Sequence, residues 1–149
     1  MVRRARTAAL LIGVIAPTVA AAETPAPPTI DCVRGFAGLR AMADWLPGVQ
    51  WTQEGGYDIA TLSAPDAWTA QIAFTLPGHP AHPAVTLRTR RRQVTEVWTA
   101  ESKGCGYGDQ EQFALLMADM KSGDTELTNA SRHEVERRKD GLSPLAPAP

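Results

Sequence analysis

The stretch WTAQIAFTL, residues 68–76, decides the fold that we predict for this chain of 149 residues. Every second residue from Trp68 to Leu76 is apolar, and three of the four residues between them are polar. Alternation with a period of two places the apolar side chains on one side of a β-strand and the polar ones on the other. We therefore predict a half-buried strand of an antiparallel sheet.

Shorter segments with the same period lie on both sides of this strand. Before it, residues 50–52 and 57–62 predict a hairpin that turns at Glu54-Gly55-Gly56. After it, a loop with three prolines over residues 76–83 leads to a strand over residues 85–90, and a last strand covers residues 94–100. The sheet is therefore expected to contain four or five strands.

Helical patterns flank the strands. Apolar residues at intervals of four and three from Cys32 to Leu46 predict a helix over residues 31–46 that ends at a Pro-Gly pair. Asp109 is a suitable N-cap for a second helix, with Gln112 placed to complete a capping box, and residues 122–124 are expected to end it. Residues 131–139 are almost wholly charged and predict a third helix that either frays or docks on another surface.

This order of elements is typical of the α+β class. We predict one small domain in which a four- or five-stranded antiparallel sheet carries an N-terminal and a C-terminal helix on one face. The chain has two cysteines, Cys32 and Cys105, and in an oxidising compartment they are expected to form one disulfide. The glycines of residues 104–108 are expected to turn the backbone tightly beside that bond.

Residues 1–22 have the features of a cleavable signal peptide. A basic start is followed by an apolar stretch over residues 7–16 and by small residues at positions 19–22. We therefore interpret residues 1–22 as signal peptide, 23–30 as a Pro-rich leader, 31–141 as the α+β domain and 142–149 as a Pro-rich disordered tail. The protein is then periplasmic or secreted, by either the Sec or the twin-arginine route.

The charge of the mature chain excludes some classes of partner. Removal of the three arginines in residues 1–22 leaves 12 basic against 16 acidic residues, a formal net charge of −4. A negative net charge argues against general affinity for nucleic acid or anionic membranes. The apolar stretch of the signal is about ten residues long, half of the roughly 20 that span a bilayer, so no stable membrane insertion is expected.

Three arginines form the strongest candidate binding surface. Arg88, Arg90 and Arg92 are two residues apart, so they would share one side of a strand. Guanidinium groups in a row can bind carboxylates or phosphates through paired hydrogen bonds. The alternative is a charged edge strand that resists pairing with other sheets. Trp51 and Tyr57, near the predicted hairpin turn, are the aromatic residues that we expect to support a binding surface.

Metal binding and catalysis are weaker hypotheses. His79 and His82 lie on one loop and could bind copper, zinc or nickel, but protein zinc sites use three or four protein ligands. No cofactor is predicted. The sequence offers no nucleophile with an orienting base, so a hydrolase or isomerase with a pocket between sheet and helices stays the alternative.

These observations predict an exported accessory or inhibitory module without catalytic activity. It would bind another periplasmic protein, or a different anionic macromolecule, through Arg88, Arg90 and Arg92.

Overall fold

A computed structural model describes residues 24–141 of the chain. The predicted signal peptide (1–22) and the predicted tail (142–149) therefore lie outside the described residues. A short 3-10 turn, Cys32–Arg34, leads directly into the first helix. The elements are α1 (Gly35–Asp44), β1 (Gln50–Glu54), β2 (Tyr57–Ala64), β3 (Trp68–Thr75), β4 (Ala84–Arg92), β5 (Trp98–Gly106) and α2 (Gln110–Gly141).

The five strands form one antiparallel sheet in which each strand pairs with its sequence neighbour, in the order β1-β2-β3-β4-β5. The predicted α+β class is confirmed, and the sheet has five strands, the larger of the two numbers that we predicted. Gly55 and Gly56 have φ values of 58° and 86°, and two left-handed residues in a two-residue loop are favoured by the twist of the flanking strands. The predicted hairpin turn is therefore where the sequence placed it.

One face of the sheet holds the hydrophobic core, and we call it the α1 face. Ala60, Ile72 and Leu87 lie side by side on it, according to the strand register. From α1, Leu39 and Ala43 pack on these residues and are completely buried. Burial of apolar side chains contributes about 25 cal/mol per Å², and the alternating residues of β3 are all buried in this core, so they contribute to its stability.

The second helix lies on the opposite face, which we call the α2 face. Gln71, Arg88 and Ser102 share that face by register, and Asp124 of α2 contacts both Arg88 and Ser102. The sequence predicted both helices on one face, whereas they cover opposite faces.

Two glycines of β5 explain where α2 packs. A Cβ atom at Gly106 would lie 2.5 Å from the Phe113 ring, and one at Gly104 would lie 2.5 Å from the Met117 sulfur. These glycines belong to a strand, not to the predicted turn, and they leave room for α2 to approach the backbone. The apolar residues of α2 therefore pack against β5.

Residues 110–141 form one continuous helix, although the sequence predicted an interruption at residues 122–124 and a separate third helix. Asp124 is buried and bonded to the sheet, which holds the helix through this point. The predicted third helix is the second half of α2, where Val135 is buried. At the start of α2, Asp109 Oδ1 accepts hydrogen bonds from the backbone N–H groups of Glu111 and Gln112, as expected of an N-cap.

The chain before α1 is attached to the sheet in two places. Cys32 and Cys105 form the predicted disulfide, with their Cα atoms 5.4 Å apart. The leader residues 24–30 form no helix or strand, and the Pro25 carbonyl accepts a hydrogen bond of 2.6 Å from the Trp68 indole N–H. Between residues 24 and 141, no helix has the length and apolar character needed to cross a bilayer.

Candidate binding groove

A groove runs along the α2 face where α2 leaves the sheet uncovered. The helix packs over β5 and reaches β4 through Arg88, while Gln71 of β3 stays exposed on this side. Two adjoining cavities of about 230 and 200 Å³ lie there and share Gln71 and Arg88. We call them together the α2-face groove.

The two ends of the groove differ in chemistry. The end that we call polar is lined by hydroxyl, amide and guanidinium groups: Thr61, Thr69, Gln71, Arg88 and Arg90. The other end also has apolar walls from both sheet and helix: Tyr57, Ile59, Ala73, Leu116 and Met120. Asp119 is the carboxylate of that second cavity. The groove therefore combines hydrogen-bond donors at one end with an apolar surface at the other.

Arg88 holds α2 on the sheet. Its Nε donates to Asp124 Oδ1 at 2.8 Å and to Ser102 Oγ at 3.3 Å, and one terminal nitrogen donates to the Met120 carbonyl at 3.0 Å. The Ser102 hydroxyl donates to the same carboxylate oxygen at 2.9 Å. Asp124 is 7% exposed, so its charge is compensated almost entirely by these two donors. One of the three predicted binding arginines is thus occupied inside the molecule.

Arg90 is the arginine of the predicted set that faces the groove without an acidic partner. Its guanidinium carbon lies 5.8 Å from the centroid of the Trp98 ring, and no residue between 24 and 141 forms an ion pair with it. Arg92 is engaged at the end of β4, where it contacts Asp66 at 3.5 Å and Glu96 at 3.2 Å. The three arginines share a face, as predicted, but their roles differ.

Tyr57 extends the set of donors into the apolar end of the groove. Its hydroxyl lies 2.7 Å from His79 Nε2, and His79 Nδ1 accepts the Ala81 backbone N–H at 3.1 Å. In a neutral His79 the proton is therefore on Nε2, which donates to the Tyr57 oxygen. Burial, and then the negative charge of Asp119, raise the pKa of Tyr57. The Tyr57 hydroxyl thus stays protonated and can donate to a ligand in the groove.

Trp51, the other predicted aromatic residue, lies on the α1 face and not beside Tyr57. The Arg40 guanidinium carbon is 3.9 Å from the Trp51 ring centroid, and Arg40 also bonds Asp58 at 2.7 Å. The hydrogen bond from Arg40, supported by one from Gln53, lowers the pKa of the Asp58 carboxyl. Trp51 is therefore half-buried beneath a cation and separated from the three arginines by the sheet.

The two histidines of the metal hypothesis both contact protein groups. Both ring nitrogens of His79 are engaged with Tyr57 and Ala81, and His82 Nδ1 lies 2.8 Å from the Thr75 carbonyl oxygen. In the described part of the chain, no group of three or more His, Cys, Asp or Glu side chains is placed to hold a metal ion.

Some lining residues were not candidates from the sequence. Gln71 alternates with the apolar residues of β3, so the pattern places it on the opposite face. The pattern does not predict which other residues line the groove beside it. Leu116, Asp119 and Met120 reach the groove because α2 lies on that face, and the sequence pattern does not specify which face a helix covers.

No protein-family model matches the chain, and comparisons with curated proteins and with solved structures likewise gave no match.

Proposed function

We propose that the protein is an exported, non-catalytic binding module that holds an acidic segment of another periplasmic protein in the α2-face groove. The observation that carries this proposal is the position of Arg90, which lines the polar end without an acidic partner among residues 24–141. A guanidinium group forms bidentate hydrogen bonds with carboxylates. Arg90 lines the same end of the groove as Thr61 and Thr69, whose hydroxyl groups can add further hydrogen bonds.

Several further features support a protein ligand. The apolar end of the groove, with Ile59, Leu116 and Met120, suits side chains next to an acidic group. The mature chain has a net charge of −4, so a polyanion such as nucleic acid would be repelled by the rest of the surface. The disulfide favours an oxidising compartment, in agreement with the predicted export signal.

Catalysis is not favoured by the groups in the groove. The pair of Tyr57 and His79 is the arrangement there that most resembles acid–base machinery, but a raised pKa makes Tyr57 a poor proton donor at neutral pH. Asp58 contacts Arg40 on the α1 face, and Glu101 pairs with Lys103. These two strand carboxylates are thus engaged outside the groove.

Site-specific photo-crosslinking tests the proposal in exported full-length protein. A benzoylphenylalanine at Gln71, which is exposed within the groove, is compared with the same residue at Lys103, which is exposed on the α1 face. Each is combined with Arg90→Ala or with Arg91→Ala. Arg91 is the matched control, because its substitution removes the same charge from the adjacent residue on the opposite face.

We expect a discrete protein adduct from position 71 that is absent from position 103. Arg90→Ala should reduce this adduct at least about tenfold, the effect of losing one charge-assisted contact, while Arg91→Ala should leave it nearly unchanged. The adduct should also weaken with added salt, since exposed charges are screened. Equal adducts from positions 71 and 103, or equal loss in both arginine variants, would contradict the proposal.

A further inference from the structure

The two edge strands of the sheet, β1 and β5, differ in whether their outward backbone groups are hydrogen-bonded. At the outer edge of β5, the backbone N–H groups of Trp98 and Ala100 donate to the hydroxyls of Ser131 and Thr128, at 2.8 and 3.0 Å. At the outer edge of β1, no residue between 24 and 141 forms a comparable hydrogen bond. An edge strand with unpaired N–H and C=O groups is a template for another strand.

The hairpin register shows which groups of β1 face outward. Glu54 and Tyr57 flank the two-residue turn and are paired, so they form the hydrogen-bonded pair that closes such a hairpin. Hydrogen-bonded and non-hydrogen-bonded pairs alternate along an antiparallel ladder. Thr52 and Gln50 therefore direct their backbone groups towards β2, while Trp51 and Gln53 direct theirs outward.

We infer that β1 pairs with β1 of a second copy of the chain, antiparallel and around a two-fold axis at Thr52. The outward-facing residues 51 and 53 are equally distant from that axis, so Trp51 of each copy meets Gln53 of the other. Both residues of such a pair expose N–H and C=O, which gives two hydrogen bonds per pair and four in all. The interface is isologous, as in most homodimers.

The side chains of β1 are compatible with this self-pairing. Its sequence QWTQE contains no proline and one charge, and in this register Glu54 faces Gln50 of the other copy. No like charges are therefore opposed, which would destabilise a cross-strand pair. Thr52, at the axis, is exposed and small enough to face its own copy. The partner that fits this edge is thus a second molecule of the same protein.

Engineered cysteines measure the register directly. Two copies of Thr52 would form a non-hydrogen-bonded pair with Cα atoms about 4.5 Å apart, within the roughly 4.4–6.8 Å that a disulfide bridges. Two copies of Gln50 would be about 13 Å apart, because each lies two residues from the axis. The two native cysteines are already bonded to each other, so each variant has one free thiol.

We expect mild oxidation of purified Thr52→Cys protein to give a covalent dimer on non-reducing gels. Gln50→Cys, the matched control, should stay monomeric under the same conditions. In sedimentation equilibrium, Gln53→Pro should shift the wild-type dimer to monomer, since proline removes an outward N–H and leaves the backbone hydrogen bonds to β2 in place. Both Gln53→Pro and Gln53→Ala lose the side-chain hydrogen bond to Asp58, so their comparison isolates the backbone N–H. Gln53→Ala keeps that N–H and should remain dimeric.

Three results would overturn the inference. Thr52→Cys protein could stay monomeric after oxidation, it could crosslink no better than Gln50→Cys, or in the periplasm it could form a disulfide with a different protein and not with itself. The last result would assign the edge to a foreign strand. Circular dichroism of each variant verifies the fold, and the Thr52→Cys result does not depend on Gln53→Pro being folded.

Discussion

Replacement of Asp124 by alanine is expected to weaken the attachment of α2 to the sheet. The carboxylate accepts from Arg88 Nε at 2.8 Å and from the Ser102 hydroxyl at 2.9 Å, and both are charge-assisted hydrogen bonds. Each contributes about 1.5–3 kcal/mol. The Arg88 side chain is 26% exposed and would keep its contact with the Met120 carbonyl, so water offsets part of the loss. We therefore expect the free energy of unfolding to fall by about 2–4 kcal/mol.

Urea denaturation followed by tryptophan fluorescence measures this change. At typical slopes for a small domain, the midpoint should move down by roughly 1–3 M urea. Asp119→Ala is the matched control: it removes the same side chain from an exposed position of the same helix, and its effect should stay within about 0.5 kcal/mol.

A double-mutant cycle with Arg88→Ala isolates the ion pair. The combined variant should lose less stability than the sum of the two single variants, by about 1–3 kcal/mol, because each single variant leaves a buried polar partner behind. An Asp124→Ala variant as stable as Asp119→Ala, or strictly additive effects with Arg88→Ala, would refute the argument that this contact holds α2 on the sheet.

Three other predictions concern the rest of the molecule. Gly106→Ala should cost about 1–3 kcal/mol, because its Cβ would lie 2.5 Å from the Phe113 ring, and the same substitution should cost clearly less in a Phe113→Ala background; denaturation of the four variants checks this. Substitution of Cys32 and Cys105 by serine should lower stability by about 4 kcal/mol on the chain-entropy model, measured against wild type in urea. The lowered pKa of Asp58 stabilises the fold at neutral pH, and that advantage over Asp58→Asn should vanish as the pH falls from about 5 to about 2, in pH-dependent melting; a constant difference would contradict it.

The sequence predicted the parts of the fold that local patterns encode. The alternation in residues 68–76 identified β3, the paired glycines located the hairpin turn, and Asp109 marked the start of α2. These features depend on contacts within a few residues, where side-chain direction follows directly from the period. The disulfide was also predictable, because the chain has two cysteines.

What depends on contacts between distant segments was not predicted. Serine, glycine and aspartate at residues 122–124 resemble a helix end, but Asp124 is held by Arg88, 36 residues earlier in the chain. The side of the sheet that α2 covers is set by the space above Gly104 and Gly106, which the sequence pattern presents as turn residues. The arginine stripe was recognised because its spacing of two is local. The different engagement of Arg88 and Arg90 depends on α2 and was not predicted.

The two hydroxyls that α2 places over the edge of β5 also limit how large an assembly of this protein can become. Ser131 and Thr128 accept hydrogen bonds from two backbone N–H groups of β5 that would otherwise be free to donate to a further strand. A sheet with two open edges can add copies at both ends and grow into a filament, as amyloid does. With β5 closed, strand addition at β1 would consume the remaining edge, and growth would stop at two copies. On this reasoning, two side chains of α2 would limit the growth of assemblies formed through the sheet edges.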